Sequence, residues 1–312
     1  MHAEQNAYQN RWESRSSVRT RPRKPIDFSK TGYFFPPNKQ PLLLLPEIQA
    51  LDEQAKSEIL VLSFYKYLHD IMNLEIKLIH LACQHVIDDS VQLTYPEMFR
   101  LNAYTIMIDE YYHVYLGQDM LIQLQSAFPQ LKPLAYPVSD AIKAIQILKQ
   151  RLPTEDAPLV DILGVSIFET TLIRELVEFF NAPEVHPSVR YYVNDHMNDE
   201  ARHHGFFYDL LVYTWTHMSA AQQNRIGIQL ADFVKLYLNI SADMEYNCSL
   251  LNTFVHHEEK SQQLIQKIYH GFEISPDMPI VKNVLSVLNK TGIMEHHLVK
   301  QGFINHQLYI EP

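Results

Sequence analysis

Twice along this chain an aspartate-glutamate pair is followed by a histidine three positions after the glutamate: Asp109-Glu110-Tyr111-Tyr112-His113 and Asp199-Glu200-Ala201-Arg202-His203. Residues three apart share a helix face, so each repeat can offer one carboxylate and one imidazole to the same metal ion. The chain has 16 histidines. About one Glu-x-x-His is therefore expected by chance, and demanding the preceding aspartate lowers that to roughly 0.05. Two occurrences carry weight. A further glutamate precedes each repeat at similar spacing, Glu75 lying 35 residues before Glu110 and Glu169 lying 31 before Glu200. His196 stands four before Glu200 and seven before His203, on the same helical face as both. A histidine there is either a hydrogen-bonded core residue or a third imidazole ligand, and the spacing favours ligation.

Long helices are needed to position these groups, and the apolar pattern supplies them. Between Asp52 and Val86, Leu68, Met72, Ile79, Ala82 and Val86 share one face with Glu75, which predicts an amphipathic helix. A second helix, opened by Thr94 and Pro96, is expected to run to about Ala127 with Glu110 and His113 on its apolar stripe. Prolines 129, 133 and 137 mark a connection. Within it Ser139 can cap a short helix to about Arg151. The third long pattern spans Leu159 to Phe180 and the fourth Pro187 to about Met218, with more at Ala220–Leu238, Met244–Tyr269 and Pro279–Val299. Two helices giving one Glu each and two giving Glu-x-x-His form the ligand set of ferritin-like carboxylate-bridged di-iron bundles. Four carboxylates balance two divalent ions, which makes such a cluster tolerable inside an apolar bundle. The expected fold is all-α: a ferritin-like helix bundle with additional helices over residues 47–312, preceded by an irregular, proline-punctuated arm over 1–46.

Composition agrees and excludes other classes. Only 8 glycines against 33 tyrosines and phenylalanines favour long helices over sheet. A net charge of −10 has the wrong sign for a nucleic-acid partner. Cys83 and Cys248 stand far apart and build neither a disulfide framework nor a thiolate metal site, as expected of a cytoplasmic protein. No apolar run approaches the length of a membrane span. The basic stretch Arg11, Arg15, Arg19, Arg21, Arg23, Lys24 lacks the apolar centre of a secretory signal. No Gly-x-Gly-x-x-Gly after a strand and no cysteine cluster is present, so electrons for redox chemistry would come from an external reductase or ferredoxin.

The set Glu75, Glu110, His113, Glu169, His196, Glu200 and His203 resembles the para-aminobenzoate N-oxygenase family of ferritin-like di-iron enzymes. The segment Trp12-Glu13-Ser14-Arg15-Ser16-Ser17-Val18-Arg19-Thr20 resembles the arm that precedes the bundle there, and the likeness spans about residues 10–300. The resemblance implies a homodimer whose two iron ions, with O2 as co-substrate, oxidise a primary amine through the hydroxylamine toward nitroso or nitro in secondary-metabolite biosynthesis. It also implies His196 as an extra ligand. The amine is aryl, aliphatic or amino-acid-derived, free or carrier-protein-bound. After Arg202 only Arg225 remains as an arginine to clamp a substrate carboxylate, which counts against aminobenzoate itself. A hydroxylase or desaturase, an iron-binding protein and a radical-generating subunit are the alternatives.

Each ligating imidazole needs its other nitrogen held. Asp109 and Asp199 are expected to do this in cross-pairs, Asp199 with His113 and Asp109 with His203. Arg202 and His204 read as polar neighbours of a ligand. His256, His257, Glu258, Glu259 and the Glu295-His296-His297 run read as solvated faces, and Tyr111, Tyr112, Thr170 and Thr171 as ordinary packing.

Overall fold

The computed structural model describes residues 7–21, 23–171 and 179–310. Among these the regular structure is helical, with one isolated bridge between Tyr33 and Val185. The expected irregular arm is helical at its start, in α1 (Ala7–Arg15) and α2 (Ser17–Thr20). Tyr8, Trp12 and Ser16, four apart, are its buried face. A stripe with only two large apolar residues, set among arginines and polar groups, gives little periodic signal.

Beyond α2 the arm crosses the bundle in extended and 3-10 turns, burying Ile26, Phe34, Leu42 and Leu45, and enters α3 (Pro46–Gln49). Gly32 permits its closest approach: at φ +147° it lies where an added Cβ would meet the His186 Cα at 2.6 Å.

Asp52 caps α4 (Glu53–Leu74), its side chain accepting from the Ala55 N–H at 2.8 Å. The helix expected over 52–86 is not uniform. Residues Glu75–Ile79 form a π turn, in which the His80 N–H bonds the Glu75 carbonyl five residues back, before α5 (His80–Ile87) resumes. Such widened turns often mark functional sites, and here the widening begins at Glu75. Next come α6 (Glu97–Ala127), α7 (Asp140–Arg151, capped by Ser139), α8 (Ala157–Glu169) and α9 (Pro187–His217). Thr94 has a left-handed backbone and does not cap α6, which starts directly after Pro96. The third expected helix, Leu159–Phe180, instead stops at Glu169, with Thr170 and Thr171 in a turn, and its residues 172–178 lie outside the described residues.

The later patterns break into pairs: α10 (Ala220–Gly227) and α11 (Leu230–Tyr237), α12 (Ser241–Val255) and α13 (Glu258–Ile268), α14 (Pro279–Lys290) and α15 (His297–Asn305). His256 at φ +55° and Gly292 at φ +74° make the last two breaks. No described helix is long and apolar enough to cross a membrane.

Helices α4/α5, α6, α8 and α9 pack around a common core. Along three of these rows the core changes identity at the acidic residues. Leu68, Met72, Leu116, Val193 and Met197 belong to one apolar cluster, and Leu78, Ile79, Ile106 and Phe206 to another. The polar layer between the two clusters contains Glu75, Glu110, His113, Glu200 and His203.

Candidate metal centre

All seven residues singled out by spacing are buried and converge on this layer. Glu75, Glu110, His113, His196 and Glu200 place one ligand atom each within 4.8 Å of one another, as do Glu169, Glu200 and His203. Glu200 belongs to both groups. Glu110 also reaches across, its Oε2 lying 3.0 Å from His113 Nδ1 and its Oε1 3.0 Å from His203 Nδ1. The cluster thus has two centres: Glu75, His113 and His196 around one, Glu169 and His203 around the other, and Glu110 and Glu200 between them.

Glu75 Oε1 and Oε2, Glu110 Oε1, Glu169 Oε2 and His203 Nδ1 are buried with no hydrogen-bond partner among the described residues. His203 Nδ1 and Glu110 Oε1 are close yet not aligned as donor and acceptor. Atoms so placed are aimed at a shared point between them rather than at each other. Buried polar atoms without partners are costly. A pair of divalent cations would satisfy all of them, and a carboxylate-imidazole donor set suits iron or manganese.

The protonation of the cluster points the same way. Burial pushes the Glu75 carboxyl up to about 7, Glu110 adding to the rise and His196 opposing it. Burial and the charges of Glu200 and Glu110 hold Glu169 well above the usual carboxylate range. Glu200 is also desolvated, but His203 and His196 override that and keep it well below. Burial disfavours charge on the imidazoles too; carboxylates outweigh it, raising His113 well above its ordinary value through Asp199 and Glu110, and His196 to about 9 through Glu200 and Glu75. Glu200 and Glu110 likewise raise His203. Without metal the layer balances its carboxylates with protons, the positions that cations would take over.

The far nitrogens of two imidazoles are held by the aspartates that precede the glutamates. His113 Nε2 is 3.0 Å from Asp199 Oδ2, and His203 Nε2 is 3.4 Å from Asp109 Oδ2. This leaves both Nδ1 atoms facing the cluster. The Nδ1 of His196 has no partner among the described residues, its Nε2 facing Glu200 and Glu75 at 2.8 and 3.2 Å. Arg202, which spacing alone left as a polar neighbour, is buried between the two aspartates and donates to Asp199 and, at 3.4 Å, to Asp109. The Asp199-x-x-Arg202 spacing was its signal.

On the opposite face the cluster borders a small, partly open cavity lined by Glu75, Glu169, His196 and Glu200 and by Tyr67, Ile71, Leu74, Ile79, Phe168 and Met197. Sequence reasoning missed this lining. Its trace was Tyr67, Ile71 and Leu74 at helical spacing beside the Glu75 stripe. No described lining residue is a lysine or an arginine.

Tyr111 faces outward, and the Tyr112 hydroxyl donates to the Arg21 carbonyl. Thr170 and Thr171 bond the carbonyls of Ser166 and Ile167 at 2.6 and 2.7 Å. The half-buried His204 lines a separate polar cavity with Lys290. None of His256, His257, Glu258, Glu259, Glu295, His296 and His297 joins a candidate metal cluster among the described residues. His257 instead caps α13, accepting from the Lys260 N–H.

No curated protein matches the chain. The family model of the P-aminobenzoate N-oxygenase AurF matches residues 9–271, a span that takes in all seven cluster residues and both aspartates, and the chain belongs to this family.

Proposed function

We propose that the chain is a di-iron, O2-dependent N-oxygenase that converts a primary amine to its hydroxylamine and onward to nitroso or nitro. The carrying observation is a buried layer of four glutamates and three histidines, open to an apolar cavity on one face and backed by aspartates on the other, in a chain of this family. Glu75, His113 and His196 would hold one iron, Glu169 and His203 the second, with Glu110 and Glu200 shared. Once bound, the metals supply O2 activation. Hydroxylation of an amine consumes one O2, two electrons and two protons and yields water, so an external reductase or ferredoxin is part of the proposal.

The protein's own residues decide what approaches. Ile71, Leu74, Phe168 and Met197 give the cavity an apolar wall that would receive an apolar body, while Glu75, Glu169, His196 and Glu200 mark where the amino group must sit. Beyond Tyr67 lies a polar chamber whose buried Lys66 is already paired with Asp70 and Asp243. With no lysine or arginine among the described residues of the cavity lining, the favoured substrate is an amine, free or carrier-bound, without a carboxylate at the buried end.

We also propose a homodimer, working in the cytoplasm, where its unpaired Cys83 and Cys248 would stay reduced. Along α6, Leu101, Tyr104, Ile108, Tyr111, Tyr115 and Ile122 are each about half exposed, at intervals of three, four and seven. This apolar seam, from Leu101 to Ile122, covers most of the helix and suits a second α6 across a twofold axis.

The test loads the protein with Fe(II), adds O2 and a chemical reductant, and offers aryl and aliphatic amines, scoring N-oxidised products by mass. Oxygen inserted only at carbon would favour a hydroxylase. A lasting tyrosyl radical with untouched amines would favour a radical subunit, for which Tyr192, buried with its ring 6.3 Å from that of His196, is the geometric candidate.

A further inference from the structure

We infer that Ser16 and Ser17 of the N-terminal arm are positioning residues for the metal centre, each acting through one aspartate on one imidazole; the inference rests on the di-iron reading above. Both serines are buried. The Ser16 hydroxyl donates to Asp109 Oδ1, whose other oxygen faces His203 Nε2. The Ser17 hydroxyl donates to Asp199 Oδ2, the oxygen that accepts from His113 Nε2, and the Ser17 N–H reaches Asp199 Oδ1 at 3.2 Å. Two consecutive residues thus serve the two halves of the centre, with Arg202 joining the aspartates between them.

Ser16 stands at the N-cap of α2, where a serine ordinarily accepts from the first turn's N–H groups. Its side chain makes no cap bond. Helix capping therefore does not account for its placement, and its hydroxyl is turned to Asp109.

Charge shows what the arm contributes. With metal bound the imidazoles are neutral, so two buried carboxylates face one guanidinium, and the excess negative charge must be met by donors. The arm supplies three: two hydroxyls and one amide. They hold each carboxylate in the orientation that takes Nε2–H from its imidazole and leaves the Nδ1 lone pair for the metal.

The two relays are unequal. Asp199 has Ser17 N–H and Arg202 in reserve if the Ser17 hydroxyl is removed. Among the described residues, Asp109 would keep its hydrogen bonds with Arg202 and His203, both long at 3.4 Å. The centre with His203 should therefore depend more on Ser16 than the centre with His113 depends on Ser17.

The arm is fastened elsewhere by Arg23 on Asp119, Lys24 on Asp195 and the Ile26 N–H on Gln123. Removing a serine hydroxyl should thus not release it, and Arg23→Ala, which frees Asp119, is a control that loosens the arm without touching Asp109 or Asp199.

The experiment compares full-length wild type with Ser16→Ala, Ser17→Ala, Ser16→Thr and Arg23→Ala, titrated anaerobically with Fe(II). Calorimetry reads affinity, and near-infrared magnetic circular dichroism reads the ligand field of each iron. Far-ultraviolet circular dichroism confirms folding. We expect Ser16→Ala to weaken one of two iron sites by about 10–100-fold and shift its bands. We expect a smaller effect from Ser17→Ala, recovery in Ser16→Thr, and wild-type behaviour in Arg23→Ala. Wild type loading two irons while both alanine variants match it in affinity and spectrum overturns this inference alone. Equal weakening in Arg23→Ala also overturns it, showing a general cover instead of a relay. Wild type that takes up no iron overturns the di-iron reading itself.

Discussion

Replacing Asp199 by asparagine keeps the side chain's shape and removes its charge, so it isolates the electrostatic part of the support behind His113. Asp199 is fully buried and accepts from His113 Nε2 at 3.0 Å, from Ser17 and from Arg202. Hydrogen bonds to a charged group contribute about 1.5–3 kcal/mol each. Asparagine retains one acceptor oxygen, so one or two charge-assisted bonds are lost and about 3 kcal/mol of stability goes with them, short of the full cost of stranding the buried Arg202 because Asp109 remains within 3.4 Å of it. Burial raises the Asp199 pKa, but His113, Ser17 and Arg202 outweigh that and hold it well below the usual range. A group depressed in the folded state stabilises fully above its unfolded pKa of about 4, and the stabilisation fades as pH falls through the folded value. The gap between wild type and Asp199→Asn in the metal-free protein should therefore be full at pH 7 and shrink below about pH 4. Urea unfolding of both proteins between pH 3.5 and 7 measures it. A gap under about 0.5 kcal/mol at pH 7, or one that fails to shrink between about pH 5 and 3.5, would refute the charge argument.

Three further expectations follow from other parts of the molecule. Ile108→Glu, in the middle of the exposed α6 seam, should give a folded monomer by analytical ultracentrifugation where wild type is expected to sediment as a dimer; a monomeric wild type would remove the dimer proposal, and a dimeric variant would place the contact elsewhere. Because His113 and His203 are raised well above their ordinary values and His196 to about 9, ligation must expel protons, so Fe(II) affinity should climb with pH from 6 to 9 and calorimetry in buffers of different ionisation enthalpy should show proton release. Ile71→Trp should fill the apolar cavity and lower amine turnover at least tenfold with iron content unchanged; full activity would mean that the substrate enters by another route.

The buried layer of glutamates and histidines is legible in the amino-acid sequence because its seven residues sit on long helices, where spacing along the chain maps onto one face. The aspartate cross-pairs can be reasoned out for the same reason: a neighbour of a ligand is turned about 100° away, toward the adjoining helix. The π turn at Glu75 cannot, since Leu68, Met72, Ile79, Ala82 and Val86 read equally well as an unbroken α-helix. The outward seam of α6 is in plain view as Leu101, Tyr104, Ile108, Tyr111, Tyr115 and Ile122, but the inward stripe carrying Glu110 and His113 accounts for the helix by itself, and only burial separates the two faces. The cavity and the serine contacts depend on which helices and which stretch of arm meet in space, and no local period encodes that.

The most direct measurement is anaerobic titration of the full chain with 57Fe(II), read by Mössbauer spectroscopy before and after O2. Two irons per chain are expected in different ligand environments, one with two histidines and one with a single histidine, becoming coupled ferric ions after oxidation. Fewer than one iron per chain, or uncoupled mononuclear iron, would contradict it.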